Sequence, residues 1–267
     1  MKLAWVTDPH LNFLSPLSIK EFCNKLNSHP ADGVVITGDI AEAPTVAMFL
    51  ETIATTVHKP IYFVLGNHDF YHGCIDDVRR EVIDISNKYD NLHYMTDSKI
   101  LELTPHTAMV GHEGWYDCRS GNFITSPFVL TDFSLIDEYR YSGGSKEDIY
   151  KVSNKIAQQA LQHFGYYLKE GLKKYDEIIL ITHVPPFTRM CMYKGGPSET
   201  DALPFFSCAS LGDLIVGIKD EFPEKTLTVL AGHTHYAASF HFEKIYGYTG
   251  AAEYGDPKVY KTLTINR

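Results

Sequence analysis

Asp8 and His10, Asp39, Asn67 with His68 and Asp69, His183, and His233 with His235 form short clusters of oxygen and imidazole donors spread along the chain. A mixture of carboxylate, amide and imidazole suits Mn²⁺ or Fe, with Zn²⁺ a further candidate; Mg²⁺ avoids so much nitrogen. The absence of cysteine from the set argues against a structural zinc site. A single metal would leave donors idle. Of Asp8, His10, Asp39, Asn67, His68, His183, His233 and His235, two metals sharing one bridging carboxylate would use seven. Two ions roughly 3.5–4 Å apart can orient a hydroxide between them and clamp both ends of an in-line displacement at phosphorus. The chemistry this points to is phosphoester hydrolysis.

Each cluster follows a short apolar run that reads as a buried strand. Lys2–Thr7 precedes Asp8-Pro9-His10, and Gly33–Thr37 precedes Gly38-Asp39. The run Pro60-Ile-Tyr-Phe-Val-Leu stops at Gly66-Asn67-His68-Asp69, Glu177–Thr182 stops at His183, and Thr226–Ala231 stops at Gly232-His233-Thr234-His235. Helical spacing fills the intervals over Leu17–His29, Thr45–Val57, Ile75–Tyr89 and Ser210–Phe222. Strand, cluster and helix in alternation predict a largely parallel sheet, and ligands collect outside the carboxyl ends of such strands. One polar strand-end turn has an ordinary structural explanation; several in succession do not.

Ile100–Leu103 and Thr107–Gly111 read as paired short strands, and Lys146–Tyr175 as a helix or helical pair with Gly165 or Gly171 as candidate breaks. Alternating strands are expected from Tyr236 to the C-terminus. Two stretches, 112–144 and 187–206, are too long for ordinary connections, which favours a lid or binding loop. Within them His112, Asp117, Arg189 and Lys194 are candidate substrate contacts, with packed or solvated surface roles an equal alternative.

The chain has 267 residues, a formal net charge of −9 and an apolar fraction of 44%. These bounds fit one large domain over residues 1–267 and disfavour a nucleic-acid partner, whose phosphates call for a basic face. Five cysteines without C-x-x-C spacing read as reduced thiols of a cytoplasmic protein. There is no signal-peptide pattern and no apolar run near the ~20 residues of a membrane helix. Oligomeric state is open.

Asp8-x-His10, Gly38-Asp39, Gly66-Asn67-His68-Asp69, His183 and Gly232-His233-x-His235 stand in the order and spacing of the calcineurin-like metallophosphoesterase superfamily, which the chain resembles from residue 8 to residue 235. That resemblance implies an α/β fold: a four-layer α/β/β/α sandwich of two mixed β-sheets with a dinuclear centre at the sheets' carboxyl edge. One metal would be held by Asp8, His10, Asp39 and His235. The other would be held by Asp39, Asn67, His183 and His233, with Asp39 bridging. Asn67 and His68 would contact substrate phosphate. His68 would protonate the leaving oxygen or stabilise transition-state charge, with Asp69 orienting its imidazole. The reaction implied is direct attack of a metal-bridging hydroxide, without a phosphoenzyme.

Ile40-Ala41-Glu42-Ala43 after Gly38-Asp39, and Phe70-Tyr71-His72 after Asp69, lack the arginines by which the family's phosphoprotein phosphatases grip substrate. The resemblance is closer to the small bacterial-type phosphodiesterases and phosphatases, with a small phosphodiester favoured over a phosphomonoester. Two alternatives stand beside this: a nuclease, disfavoured by the acidic balance, and a non-catalytic interaction scaffold on the same fold, which lost ligands would betray.

Overall fold

The computed structural model describes residues 1–265. In chain order the first half holds β1 (Lys2–Val6), α1 (Pro16–Ser28), β2 (Gly33–Thr37), α2 (Ala43–Thr56), β3 (Ile61–Val64), α3 (Ile75–Ser86), β4 (Leu92–Tyr94), β5 (Leu101–Thr104), β6 (Thr107–Gly111), α4 (Asp132–Leu135) and α5 (Asp137–Arg140). The second half holds α6 (Lys146–Lys174), β7 (Glu177–Ile181), β8 (Met192–Tyr193), β9 (Gly196–Pro197), α7 (Leu203–Phe206), α8 (Ala209–Glu221), β10 (Thr226–Ala231), β11 (Ala238–Phe242), β12 (Ile245–Thr249) and β13 (Lys261–Thr264). The strand expectation for the chain's last two residues, Asn266 and Arg267, lies outside the described residues.

Two mixed sheets carry the fold. One runs β13-β1-β2-β3-β4, the other β11-β12-β10-β7-β6-β5. In the first sheet β1 to β4 are parallel and β13 is antiparallel; in the second, β6, β7, β10 and β12 are parallel and both edges are antiparallel. Successive strand side chains point to opposite faces, and every central strand is apolar on both. Leu3, Trp5, Val35, Tyr62, Val64, Met109, Ile179, Ile181 and Leu230 form one core, between the sheets. Their neighbours Val6, Val34, Ile36, Phe63, Val110, Leu180 and Val229 belong to a second core that includes the helices. Strands apolar on both faces must be covered on both, and the result is the four-layer α/β/β/α sandwich. Phe63, fully buried on the helix side, is a sensitive position: Phe63→Ala should cost about 3–5 kcal/mol, measured as a lower urea midpoint at unchanged slope.

The helices begin where local chemistry starts them. Ser15 accepts from the Ser18 amide at 3.1 Å with Pro16 behind it, and Ser145 forms a capping box with Asp148. α6 runs unbroken for 29 residues, so neither Gly165 nor Gly171 is a break. Gly171 is a close-packing position instead: a Cβ there would lie 2.8 Å from Ile178 Cδ1 on β7.

Residues 112–144 do not form a detached lid. Trp115, Tyr116, Phe123, Ile136 and Tyr139 are buried in the helix-side core, and α4 and α5 lie inside the stretch. A backbone bridge joins Gly73 to Ile136, and the His72 amide donates to Leu135 O at 2.8 Å. The 187–206 stretch is likewise anchored, by the buried Phe205. Among the described residues, no helix is long and apolar enough to cross a membrane.

Candidate metal centre

Asp8, Asp39, Asn67, His183 and the His233–His235 pair follow β1, β2, β3, β7 and β10, so parallel strands of both sheets deliver them to one edge. The connecting loops interlock there. The Asp8 amide donates to Gly38 O at 3.1 Å, the His10 amide to Asp39 O at 3.0 Å, and the Gly232 amide to His183 O at 3.0 Å. Five of the predicted ligands sit in the left-handed region that side chains rarely adopt: Asp8 (φ 47°), His10 (41°), Asp39 (52°), His233 (73°) and His235 (59°). Such backbone persists where its surroundings over-determine it, and it concentrates at functional sites. Gly66 is required for a different reason: a Cβ there would fall 2.1 Å from Asp39 Oδ1.

Donor atoms of Asp8, His10, Asp39 and His235 all lie within 4.8 Å of one another. In this group His10 Nε2 is 3.1 Å from His235 Nε2, and Asp8 Oδ1 is 3.5 Å from His235 Nε2. A second group adjoins it: Asn67 Oδ1 is 3.0 Å from both His183 Nε2 and His233 Nδ1, and those two nitrogens are 3.2 Å apart. Asp39 lies between the groups, its Oδ2 3.7 Å from His10 Nε2 and its Oδ1 3.3 Å from His183 Nε2.

The proton positions are set from behind. His183 Nδ1 faces Thr37 O at 2.9 Å and His233 Nε2 faces Phe205 O at 3.0 Å. Carbonyls only accept, so those nitrogens carry the protons and the opposite nitrogens present lone pairs. Asn67 donates its Nδ2 to Asp132 Oδ1 at 2.9 Å, which turns its carbonyl oxygen toward the two imidazoles. Three acceptor atoms therefore converge with no hydrogen to share. That is an unfavourable arrangement for the chain alone and a suitable one for a cation, so these residues fit a bound metal.

Charge states agree with the geometry. Burial pushes His10 down to about 3 and His68, His183 and His233 down to about 4, so these rings are neutral, the form that ligates metal. Burial opposes ionisation of Asp8, but the hydrogen bond and charge of His235 outweigh it and hold the carboxyl well below its ordinary range. His235 is raised by the same partnership, against its own burial. Asp39 is raised well above the carboxylate range, first by burial and then by the charges of Asp8 and Asp69.

His68 is not one of the clustered donors, though its ring meets His10 edge-on at 4.8 Å between centroids. Its Nε2 is 4.0 Å from Asp39 Oδ2, its side chain is 23% exposed, and its ring stacks on Tyr71 at 4.3 Å. Asp69 does not orient it. The fully buried Asp69 carboxylate accepts from the amides of Ala41 at 2.7 Å and Gly66 at 2.8 Å. Among the described residues no hydrogen bond joins it to the His68 ring. Strand-end amides left without ladder partners claim this carboxylate, and Asp69 thereby ties the Asp39 loop to the Asn67 loop.

A cleft of about 710 Å³ opens over His68, His233 and His235, walled by Tyr71, Leu130, Phe206, Tyr236 and Tyr254 with Asp132 at its side. Tyr254 packs on His10 at 4.4 Å and on His235 at 4.9 Å. Neither Asp132 nor Tyr254 was flagged by the sequence, since Asp132 begins the short α4 and Tyr254 stands in irregular chain, neither at the end of an apolar strand that would mark it. The other candidates lie elsewhere. Asp117 accepts from the Ala209 and Ser210 amides at the start of α8, His112 is buried 3.0 Å from Glu113, and Arg189 and Lys194 are exposed.

A family model described as calcineurin-like phosphoesterase matches residues 1–237. No curated protein matches. Among solved structures the chain is similar to phosphopantetheinyl hydrolase from Mycobacterium tuberculosis, at 13% identity and a TM-score of 0.65 over 95% of this chain and 89% of that one. It is also similar to a dimetal phosphatase from Danio rerio, at 12% identity and a TM-score of 0.57 over 94% and 87% of the two chains. A Thermus thermophilus protein gives 11% identity and a TM-score of 0.53 over 94% and 88%.

Proposed function

Because this chain belongs to the calcineurin-like phosphoesterase family, we propose that it hydrolyses a small phosphodiester at a dinuclear metal centre. Asp8, His10, Asp39 and His235 hold one ion in this reading; Asp39, Asn67, His183 and His233 hold the other. The observation that carries it is the pair of donor groups sharing Asp39, one carboxylate oxygen directed to each. Bound Mn or Fe ions would supply the Lewis-acid charge and activated water that the side chains lack. Zn is a further candidate.

The chain's own residues supply the rest. Asn67 and His68 line the cleft above the donors, where they can hold phosphoryl oxygens. The neutral His68 imidazole donates a hydrogen bond to the leaving oxygen. The lining residues include aromatic rings and the acidic Glu253, with no lysine or arginine among those described. Phosphoryl charge would therefore be met by the metals and imidazoles, which suits a monoanionic diester better than a dianionic monoester. The same walls disfavour a nuclease, which needs a basic track for the phosphate backbone.

The scaffold alternative keeps little support, since every expected ligand position is filled and the donors converge. The five cysteines are unpaired, which supports placement in the reducing cytoplasm. The test is hydrolysis of bis-p-nitrophenyl phosphate against p-nitrophenyl phosphate, with Mn²⁺ or with chelator. Metal-dependent turnover favouring the diester is expected. Preference for the monoester would overturn the substrate assignment, and protein that takes up no transition metal would restore the scaffold.

A further inference from the structure

Asp132 is 1% exposed and begins α4, within the 112–144 stretch. Its Oδ1 accepts from Asn67 Nδ2 at 2.9 Å and from the Tyr71 hydroxyl at 2.7 Å; its Oδ2 accepts from the Tyr116 hydroxyl at 3.0 Å. An ionised carboxylate is an acceptor only, so all three partners must donate. Both oxygens are thereby engaged, and Asp132 is not among the residues whose donor atoms cluster at the site. Its effect passes through its partners.

The amide of Asn67 has two faces of nearly the same shape. With its NH₂ group held by Asp132, the carbonyl oxygen is presented to His183 and His233; reversed, the NH₂ group would face them and no ligand would remain. Tyr71, held by the same carboxylate, is the ring on which His68 stacks at 4.3 Å. The support is itself anchored: the His72 amide donates to Leu135 O at 2.8 Å, and the Asp137 amide donates to Gly73 O at 3.1 Å. The chain just after Asn67-His68 is thus sewn to the end of α4 and the start of α5.

We propose that Asp132 is a positioning residue that makes Asn67 a metal ligand, so that the 112–144 stretch controls occupancy of the second metal position. The inference rests on the dinuclear reading above. Outer partners that orient a ligand typically change metal affinity by roughly 10–100-fold, and that loss should fall on one ion only. Asp8, His10, Asp39 and His235 share no hydrogen bond with Asp132 among the described residues and should keep theirs.

The experiment is Mn²⁺ titration of the full chain, followed by metal counting and by the magnetic-resonance signature of coupled Mn²⁺ pairs. Wild type should take two ions. Asp132→Ala should keep one at unchanged affinity, bind the second roughly 10–100-fold more weakly, and lose the coupled signal. Adding Asn67→Asp to Asp132→Ala should restore the second ion, because a carboxylate presents oxygen whichever way it turns. Should Asp132→Ala fail to fold, Asp132→Leu fills similar volume without an acceptor and answers the same question. Wild-type affinity for the second ion in either folded variant would overturn the proposal. A wild-type protein that binds no second ion would instead sink the dinuclear reading, and this inference with it.

Discussion

His68→Ala should retain its metal while losing roughly 10²–10³-fold in turnover, the usual contribution of one hydrogen-bond donor to developing negative charge. Removing His68 deletes no donor atom, because its Nε2 reaches no closer than 4.0 Å to the shared Asp39 carboxylate and its ring meets His10 only edge-on, at 4.8 Å between centroids. Its environment also explains why it is a neutral donor. Burial pushes its pKa down to about 4, with the charge of His233 acting in the same direction. At neutral pH the ring thus carries a single N–H, which can hydrogen-bond to a departing oxygen and stabilise its charge but is not acidic enough to be transferred. Protonation of the leaving oxygen by His68, implied by the family resemblance, therefore does not fit this ring. Metal content and kcat measured on the same preparation decide the matter. Loss of an ion in His68→Ala would place the residue among the ligands instead, and unchanged turnover would remove it from the chemistry.

The donor set was readable in the sequence for a physical reason. Parallel strands buried on both faces are continuous apolar runs, and the polar residues that end them stand out against that background. The four-residue α4, α5 and α7, inside the stretches read as loops, are too short to show a period. The longer helices α1, α2, α3, α6 and α8 were readable from periodicity to within a few residues. β4 was not, because Leu92–Tyr94 is three residues long and His93 interrupts its apolar pattern. Asp69 was misjudged because proximity in sequence to His68 says nothing of where the carboxylate points. The short helical turn His68–Phe70 directs it instead to the Ala41 and Gly66 amides. Asp132 was invisible because its partners, Asn67, Tyr71 and Tyr116, are 65, 61 and 16 residues away. Only the folded chain makes it part of the site. Donors placed at strand ends leave a spacing pattern in the sequence; a residue that hydrogen-bonds to them from a distant part of the chain, as Asp132 does to Asn67, leaves none.

Asp39→Asn should weaken both metal positions together, by more than the roughly 10–100-fold expected of a change outside the ligand sphere. An amide offers one oxygen where the carboxylate directs one to each donor group. The same substitution should have the opposite effect on the metal-free protein. Burial and the charges of Asp8 and Asp69 raise Asp39 well above the ordinary carboxylate range, and burial pushes Asp69 up to about 7. An acid whose pKa rises on folding holds its proton in the native state after the unfolded chain has lost it. Stability therefore falls as pH climbs from the ordinary carboxylate value toward the folded one. In metal-free wild type this penalty runs against the opposite slope of His10, His68, His183 and His233, whose depressed pKa values favour the folded state as pH rises toward about 6.5. The Asp39 contribution is therefore read from the difference between wild type and variant. The substituted amide has no proton to lose, so metal-free Asp39→Asn should melt higher than metal-free wild type at neutral pH, while gaining less from added Mn²⁺. Thermal melts of both proteins across that pH range, with chelator and then with Mn²⁺, give the comparison. One ion retained at full affinity in the variant would show that Asp39 serves a single metal. A metal-free variant no more stable than wild type would show that the buried carboxylate is relieved of its charge by some group other than a metal.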